Sequence, residues 1–300
     1  MELVSADIET TRVSSIRERM AAFVELTKPR IAVMLVLTAA AAFFVGTTGP
    51  LDLALFANSM IGITLLAFGV ATLNQWIERS TDRLMDRTAA RPLPSGKVTP
   101  AEALTFGILQ CAVAEIYLYF LVNPLTAYLG MIVIVGYVLV YTPLKTRTSA
   151  STAIGAIPGA MPPLMGWTAA SNEITLGALA LFLLLFLWQF PHFFAIAWIY
   201  KEDYKKAGIV MLPVIEKDGA ITARQIVLFA IMLLPVSLAP FFLGFAGGVF
   251  LGGAALLGAW FLFESFRSAR RRTVESARRL MLVSVLYLPL IFGLLVIDSR

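Results

Sequence analysis

Asn74, Glu78, Asp82 and Asp86 recur at intervals of four residues. The run that holds them, NQWIERSTDRLMDRTAARPLPSG from 74 to 96, also carries Arg79, Arg83, Arg87 and Arg91. On a helix an interval of four advances about 40° around the axis, so Asn74, Glu78 and Asp82 share one stripe. Like charges stacked in this way repel by a few tenths of a kcal/mol per pair, and a cation among them removes the repulsion. Magnesium suits such oxygen donors, because it binds through one or two carboxylates together with substrate phosphates. Arg87 and Arg91 supply planar forks that grip phosphate oxygens two at a time. The pattern points to a magnesium–diphosphate site, and it also fits a solvated helix end closed by Glu/Arg and Asp/Arg pairs. A second cluster, Glu202 and Asp203 followed by Lys205 and Lys206, repeats the acid-and-base theme. Two such clusters on one face can close over a single ligand.

Other candidates stand apart from these runs. His192 is the only histidine, in WQFPHFF from 188 to 194. It can hydrogen-bond to a neighbour, ligate haem iron or transfer a proton. Glu115 lies within an apolar block, where an acid is costly and marks a site unless it pairs or stays protonated. Cys111, the single cysteine, excludes a disulfide framework and reads as a small buried apolar residue. Trp76, Trp188, Phe190, Phe193, Phe194 and Tyr200 gather near the charged runs as packing residues, interface anchors or a cation–π lining.

The elements that must position these groups are set by an apolar chain. Hydrophobic residues make up 59% of the 300 and charged residues 14%, with a mean hydropathy of +0.82, far from the quarter charged residues of a soluble domain. Nine apolar blocks, at about 31–49, 53–73, 101–122, 124–141, 151–170, 175–198, 223–244, 247–265 and 279–297, each approach the ~20 residues that cross a bilayer as a helix. Lipid leaves no partner for unpaired backbone groups, so an all-α integral membrane bundle is expected. The short alternating segments of a β-barrel are missing.

Basic residues fix the expected orientation. Arg12, Arg17, Arg19, Lys28 and Arg30 precede the first block; Lys145 and Arg147 follow the fourth. Lys201, Lys205, Lys206, Lys217 and Arg224 follow the sixth; six arginines between 267 and 279 follow the eighth. With the five basic residues from Arg79 to Lys97, these are 23 of the 24, and Arg300 is the last. The intervening loops near 50, 123, 172 and 246 have none. The N-terminus is therefore expected in the cytoplasm and the C-terminus outside. The net charge of +5 reads as a topology signal, and no nucleic-acid partner is expected because the charge is divided among separate loops. The first residues carry Glu2, Asp7, Glu9 and Glu18 and no apolar signal core, so a bacterial inner membrane is the expected home. No linker or low-complexity tract divides the chain. We expect an N-terminal cytoplasmic segment, 1–27, and a single polytopic domain, 28–300. Breakers end the two polar connections, RPLPSG from 91 to 96 and MLP from 211 to 213, turning the chain back to the membrane.

At this point the residues resemble a known family. N74-x3-E78-x3-D82 is similar to the NxxxDxxxD motif of the UbiA superfamily of intramembrane prenyltransferases. RTAARPLPSG at 87–96 resembles its haem-farnesylating branch. So do LTKPR at 26–30, YTPLK at 141–145, PPLMGW at 162–167, WQFPHF at 188–193 and DYKKAGIVMLP at 203–213. The resemblance implies nine helices around a cavity open to lipid. It implies transfer of farnesyl from farnesyl diphosphate to a vinyl carbon of haem B, with water, giving haem O and diphosphate. Asn74, Glu78, Asp82 and Asp203 are then the Mg2+-binding and catalytic set. Arg87, Arg91, Lys145, Lys206, His192 and Tyr141 are expected at the substrates, with His192 at the haem. The implied partners are the two substrates, the lipid bilayer, and haem A synthase or terminal oxidase assembly factors. Two departures from the pattern are visible. Glu78 stands where the motif has Asp, and Ser80 stands where the branch often has a further acid. Two alternatives stay open: a sister enzyme using a quinone or chlorophyll precursor, and a cation-coupled transporter, which would place its acids near the midplane.

Overall fold

The computed structural model describes residues 15–299. The expectations placed on Arg12, Arg300 and the acids before Ser15 lie outside the described residues. The elements, in chain order, are α1 (Ile16–Leu26), α2 (Pro29–Gly46), α3 (Leu53–Asp82), α4 (Pro100–Leu121), α5 (Pro124–Leu144), α6 (Ser151–Gly159) and α7 (Met161–Ser171). They continue with α8 (Leu176–Ile199), α9 (Lys201–Lys206), α10 (Leu212–Ile215), α11 (Ala220–Phe242), α12 (Gly248–Arg271) and α13 (Val274–Ile297).

Local chemistry sets the helix starts. Asp52, Asn123 and Thr175 each bond a first-turn amide of the following helix, while Ser15, Thr99 and Thr273 close capping boxes. Pro29, Pro100 and Pro124 occupy first-turn positions, where a missing N–H costs nothing. The apolar perimeter is turned outward: Phe120, Leu256 and Phe242 are each about three-quarters exposed, which only a lipid solvent tolerates at this density.

Eight helices among the described residues are long and apolar enough to cross a membrane. The fifth of the nine expected passes departs from a continuous helix. It is divided into α6 and α7 at Ala160, between Pro158 and the pair Pro162–Pro163. Three prolines within six residues remove amide donors and crowd the preceding turns, which favours the break at this point. The two pieces still traverse the bundle. Ser151 follows Lys145 at the charged end, while Trp167 lies against Gly46 and Gly177 at the other end, where Asn123 Nδ2 donates to Thr168 O at 2.9 Å. Near the break, Gln189 Nε2 of α8 donates to the Ala156 carbonyl at 3.1 Å. The same carbonyl also accepts from the Ala160 amide at 3.0 Å, so the Gln189 bond ties the break to α8 as a second donor.

α8 is the most buried of the spanning helices and packs against α2, α6, α7, α11 and α13. α3 and α4 pack closely through small residues. A Cβ on Gly69 would lie 2.6 Å from Cys111 Sγ, so the backbones meet only because glycine is there. Cys111 is buried in this seam, as expected of a small apolar residue. Glu115, one turn further along α4, faces Gly130, and its Oε1 is sealed without a hydrogen-bond partner among the described residues. It is about 22 Å along α4 from the charged end, by helical rise, and does not join the acidic run.

α1 lies outside the spans, on the charged end. Ala22 and Leu26 enter a cluster with Leu93, Val98 and Ala103, while Ile16, Met20 and Val24 form an exposed apolar stripe. That amphipathic division suits a helix in the membrane interface. We expect Gly69→Val to force α3 and α4 apart and to cost about 1–3 kcal/mol; thermal unfolding in detergent, read against Gly252→Val on an open face, measures it.

Candidate active site

The last turns of α3 carry the acidic stripe to the charged end of the bundle. Asn74 and Asp82 are almost fully buried, at 1% exposure each, and Glu78 lies between them. The helix holds to Asp82, so the three share one face as their spacing predicts. Asp86 falls beyond the helix and is exposed, which separates it from the stripe.

Each residue of the stripe meets a cation from a different element. Lys28 Nζ donates to Asn74 Oδ1 at 2.7 Å, Lys145 Nζ to Glu78 Oε1 at 2.6 Å, and Arg91 Nη1 to both Asp82 oxygens at 2.8 and 2.9 Å. Lys28 caps α2 in the left-handed region, at φ 49°, ahead of Pro29. Gln75 secures that junction by donating to Leu26 O at 2.9 Å. Burial, with Arg91 adding to it, lowers the Lys28 pKa to about 7. Burial works the same way on Lys145, but Glu78 outweighs it and holds that ammonium well above its ordinary value.

Lys145 is delivered by an irregular turn. Residues Ile134–Tyr141 of α5 wind as a π-helix, and Thr142 Oγ1 reaches back to Tyr137 O at 2.7 Å. Pro143 follows and cannot supply the next amide, so the wider winding is a local solution to a missing donor. The Lys145 ammonium sits 4.6 Å from the Tyr141 ring centre, and Tyr141 packs edge-on against Tyr137. Asn74 Nδ2 donates to Thr142 Oγ1 at 3.2 Å, tying the π segment to the acidic stripe.

The connection after α8 closes over this end. Arg87 stacks on Tyr200 and Tyr204, at 4.6 and 5.3 Å, and donates to the Tyr204 hydroxyl at 3.2 Å. Lys206 bridges Asp86 at 2.9 Å and approaches Asp203 at 3.8 Å. Val210 N donates to Lys145 O at 2.7 Å, and Met85 shares a small core with Ala207 and Ile209. The two charged connections thus form one cap. Glu202 of the same cluster is exposed.

Among the described residues no three acids, histidines or cysteines converge as a ready metal cluster. Glu78, Asp82 and Asp203 are held by Lys145, Arg91 and Lys206 separately. With the Asn74 side-chain oxygen, these three carboxylates make four oxygen donors interleaved with phosphate-binding cations, a donor chemistry that fits magnesium. His192 belongs to a second locus, between α8 and α13. Its Nδ1 meets Ser284 Oγ at 2.7 Å, and its ring stacks on Trp188 with centres 4.6 Å apart. Lys28 is a candidate site residue that motif reading left without a role. Its signal was a lysine immediately before a helix-opening proline, though not the turn that buries it against Asn74.

The comparisons agree with this architecture. The sequence profile of the UbiA prenyltransferase family matches residues 35–289. Protoheme IX farnesyltransferase from Solibacter usitatus is 47% identical over 92% of this chain and 98% of its own. The enzyme of that name from Koribacter versatilis is 43% identical over 91% and 92%. Among solved structures, a digeranylgeranylglyceryl phosphate synthase matches with TM-score 0.79 at 16% identity, over 94% of this chain and 98% of that one. A UbiA homolog from Archaeoglobus fulgidus bound to DMAPP and Mg2+ matches with TM-score 0.66 at 19% identity, over 91% and 98%. With the acidic stripe, the capping loops and the bundle all in agreement, this chain belongs to the UbiA prenyltransferase family.

Proposed function

We propose that the chain transfers farnesyl from farnesyl diphosphate to a vinyl group of haem B, with addition of water, releasing diphosphate and haem O. The observation that carries this reading is the 47% identity with a protoheme IX farnesyltransferase along nearly the whole of both chains. The donor half also has support in geometry, from the five cations Lys28, Arg87, Arg91, Lys145 and Lys206 gathered around the acids at one end of the bundle.

In this mechanism Asn74, Glu78, Asp82 and Asp203 would hold magnesium, which would supply neutralisation of the diphosphate charge. Lys145 and Arg91 exchange their carboxylate partners for diphosphate oxygens, and Arg87, Lys28 and Lys206 add cationic contacts from the cap. The allylic C–O bond breaks, and its electron pair leaves with diphosphate. The vinyl π pair forms the new C–C bond. Water takes the resulting cation and loses a proton, so no covalent enzyme intermediate is required. Tyr137 and Tyr141 present ring faces to the allylic cation, and the apolar bundle keeps water from it until the bond has formed. His192 contacts the haem. The setting is a bacterial inner membrane, with the N-terminus in the cytoplasm, the C-terminus outside and 28–300 as one domain. Haem O passes to haem A synthase or to oxidase assembly.

Purified protein in lipid, given farnesyl diphosphate, magnesium and haem B, is expected to yield haem O by mass spectrometry. Product from a phenolic acceptor and none from haem would overturn the proposal. Asp82→Ala and Asp203→Ala should each lower turnover by at least about a hundredfold while the protein still inserts; near-normal rates would remove that residue from the site. Glu78→Asp shortens the side chain that meets Lys145. It should preserve magnesium dependence but lower kcat several-fold, and a kcat at or above wild type would show that Glu78 is not tuned to this geometry. The Lys28 pKa, lowered to about 7 by burial, gives a pH test. Pyrophosphate affinity should fall more steeply between about pH 6 and pH 8 in the wild type than in Lys28→Met. Parallel profiles would refute a charged Lys28 at the anion.

A further inference from the structure

We propose that Ser284 is a positioning residue that holds His192 as the Nδ1–H tautomer and presents an unprotonated Nε2 to the iron of the haem acceptor. This rests on the haem reading above.

The assignment follows from counting protons. Ser284 Oγ lies 2.6 Å from Met281 O, and a carbonyl oxygen only accepts. The single hydroxyl proton of Ser284 is therefore spent on Met281. The contact between Ser284 Oγ and His192 Nδ1, at 2.7 Å, must then take its proton from the imidazole. A neutral ring protonated at Nδ1 has a lone pair at Nε2. Nε2 has no hydrogen-bond partner among the described residues and is not sealed from its surroundings.

The neighbouring contacts fix the ring as well as the proton. Trp188, one turn earlier on α8, stacks on the imidazole with an interplanar angle of 18°. Its Nε1 donates to the Ser284 backbone carbonyl at 2.9 Å, so the residue that covers His192 also anchors its partner. Phe193 meets the ring edge-on with centres 5.4 Å apart. Ser284 is fully buried, which excludes competing water from the Nδ1 bond. A serine-bound Nδ1–H with a free Nε2 is the arrangement of an iron-ligating histidine oriented by its outer partner. Merely filling space between two membrane helices would not require a free Nε2.

His192 is the chain's only histidine, so isotopic labelling of histidine ring nitrogens reports on one ring alone. In the full-length protein in lipid, magnetic resonance should find Nδ1 protonated and Nε2 bare. Ser284→Ala should shift the ring toward the other tautomer and weaken ferric haem B binding, followed by absorbance, by about ten- to a hundredfold. Ser284→Thr, which keeps the hydroxyl, should restore both. A protonated Nε2 in the wild type overturns the inference, as does unchanged haem affinity in Ser284→Ala. If His192→Ala leaves haem absorbance and affinity unaltered, the iron contact is wrong and the inference falls. Haem O formation, measured separately, decides the reaction itself.

Discussion

Asp82 is buried at the edge of a lipid-bounded helix bundle, and a carboxylate there must find a positive partner or give up its charge. Arg91 provides that partner through both oxygens, and Lys145 does the same for Glu78. Removing one member of such a pair typically costs about 3–5 kcal/mol, since the other is left buried and alone. Much of the polar end is built around this requirement. The loop after α3 folds back to deliver Arg91, and the π-helical end of α5 delivers Lys145. Lys28 adopts a left-handed backbone to reach Asn74. Three separate elements are thereby drawn to the last turns of α3.

The same pairing suits a site that must accept a highly charged donor. In the proposed mechanism, carboxylates already matched to cations exchange them for a metal, while the freed cations turn to phosphate. Total charge at the site then changes little as ligand enters, which limits the desolvation cost of bringing an anion to the membrane boundary. The stacked Arg87 between Tyr200 and Tyr204 joins the two charged loops into a cap. Because the cap covers the polar end, the apolar part of an amphipathic donor fits the bundle side, in keeping with its outward-facing hydrophobic surface.

Most of the spanning pattern was legible in the sequence because lipid imposes a single rule, internal pairing of backbone groups, on every apolar block. The stripe Asn74–Glu78–Asp82 was legible because helical periodicity places four-spaced residues together. What escaped was long-range. Pro158, Pro162 and Pro163 were visible, yet the apolar run around them reads as continuous by hydropathy. The division at Ala160 becomes apparent only with Gln189 at the Ala156 carbonyl. Lys145 pairs with Glu78 across 67 positions, and Ser284 meets His192 across 92. The YTPLK segment marked Lys145 but not its pairing with Glu78, and no local pattern marked Ser284. Asp86 shows the opposite case, where spacing continued after the helix had ended.

The divided pass also has a bearing on how the chain is made. α6 has nine residues and α7 eleven, so each is about half the length a membrane helix needs. Gln189, which bonds the Ala156 carbonyl, is synthesised 33 positions later. That carbonyl already accepts from the Ala160 amide at 3.0 Å within its own segment, so Gln189 adds a second, interhelical donor once α8 is in place. Neither piece spans the hydrocarbon alone, so α6 and α7 cross as one pass, and the Gln189 bond ties that pass to α8.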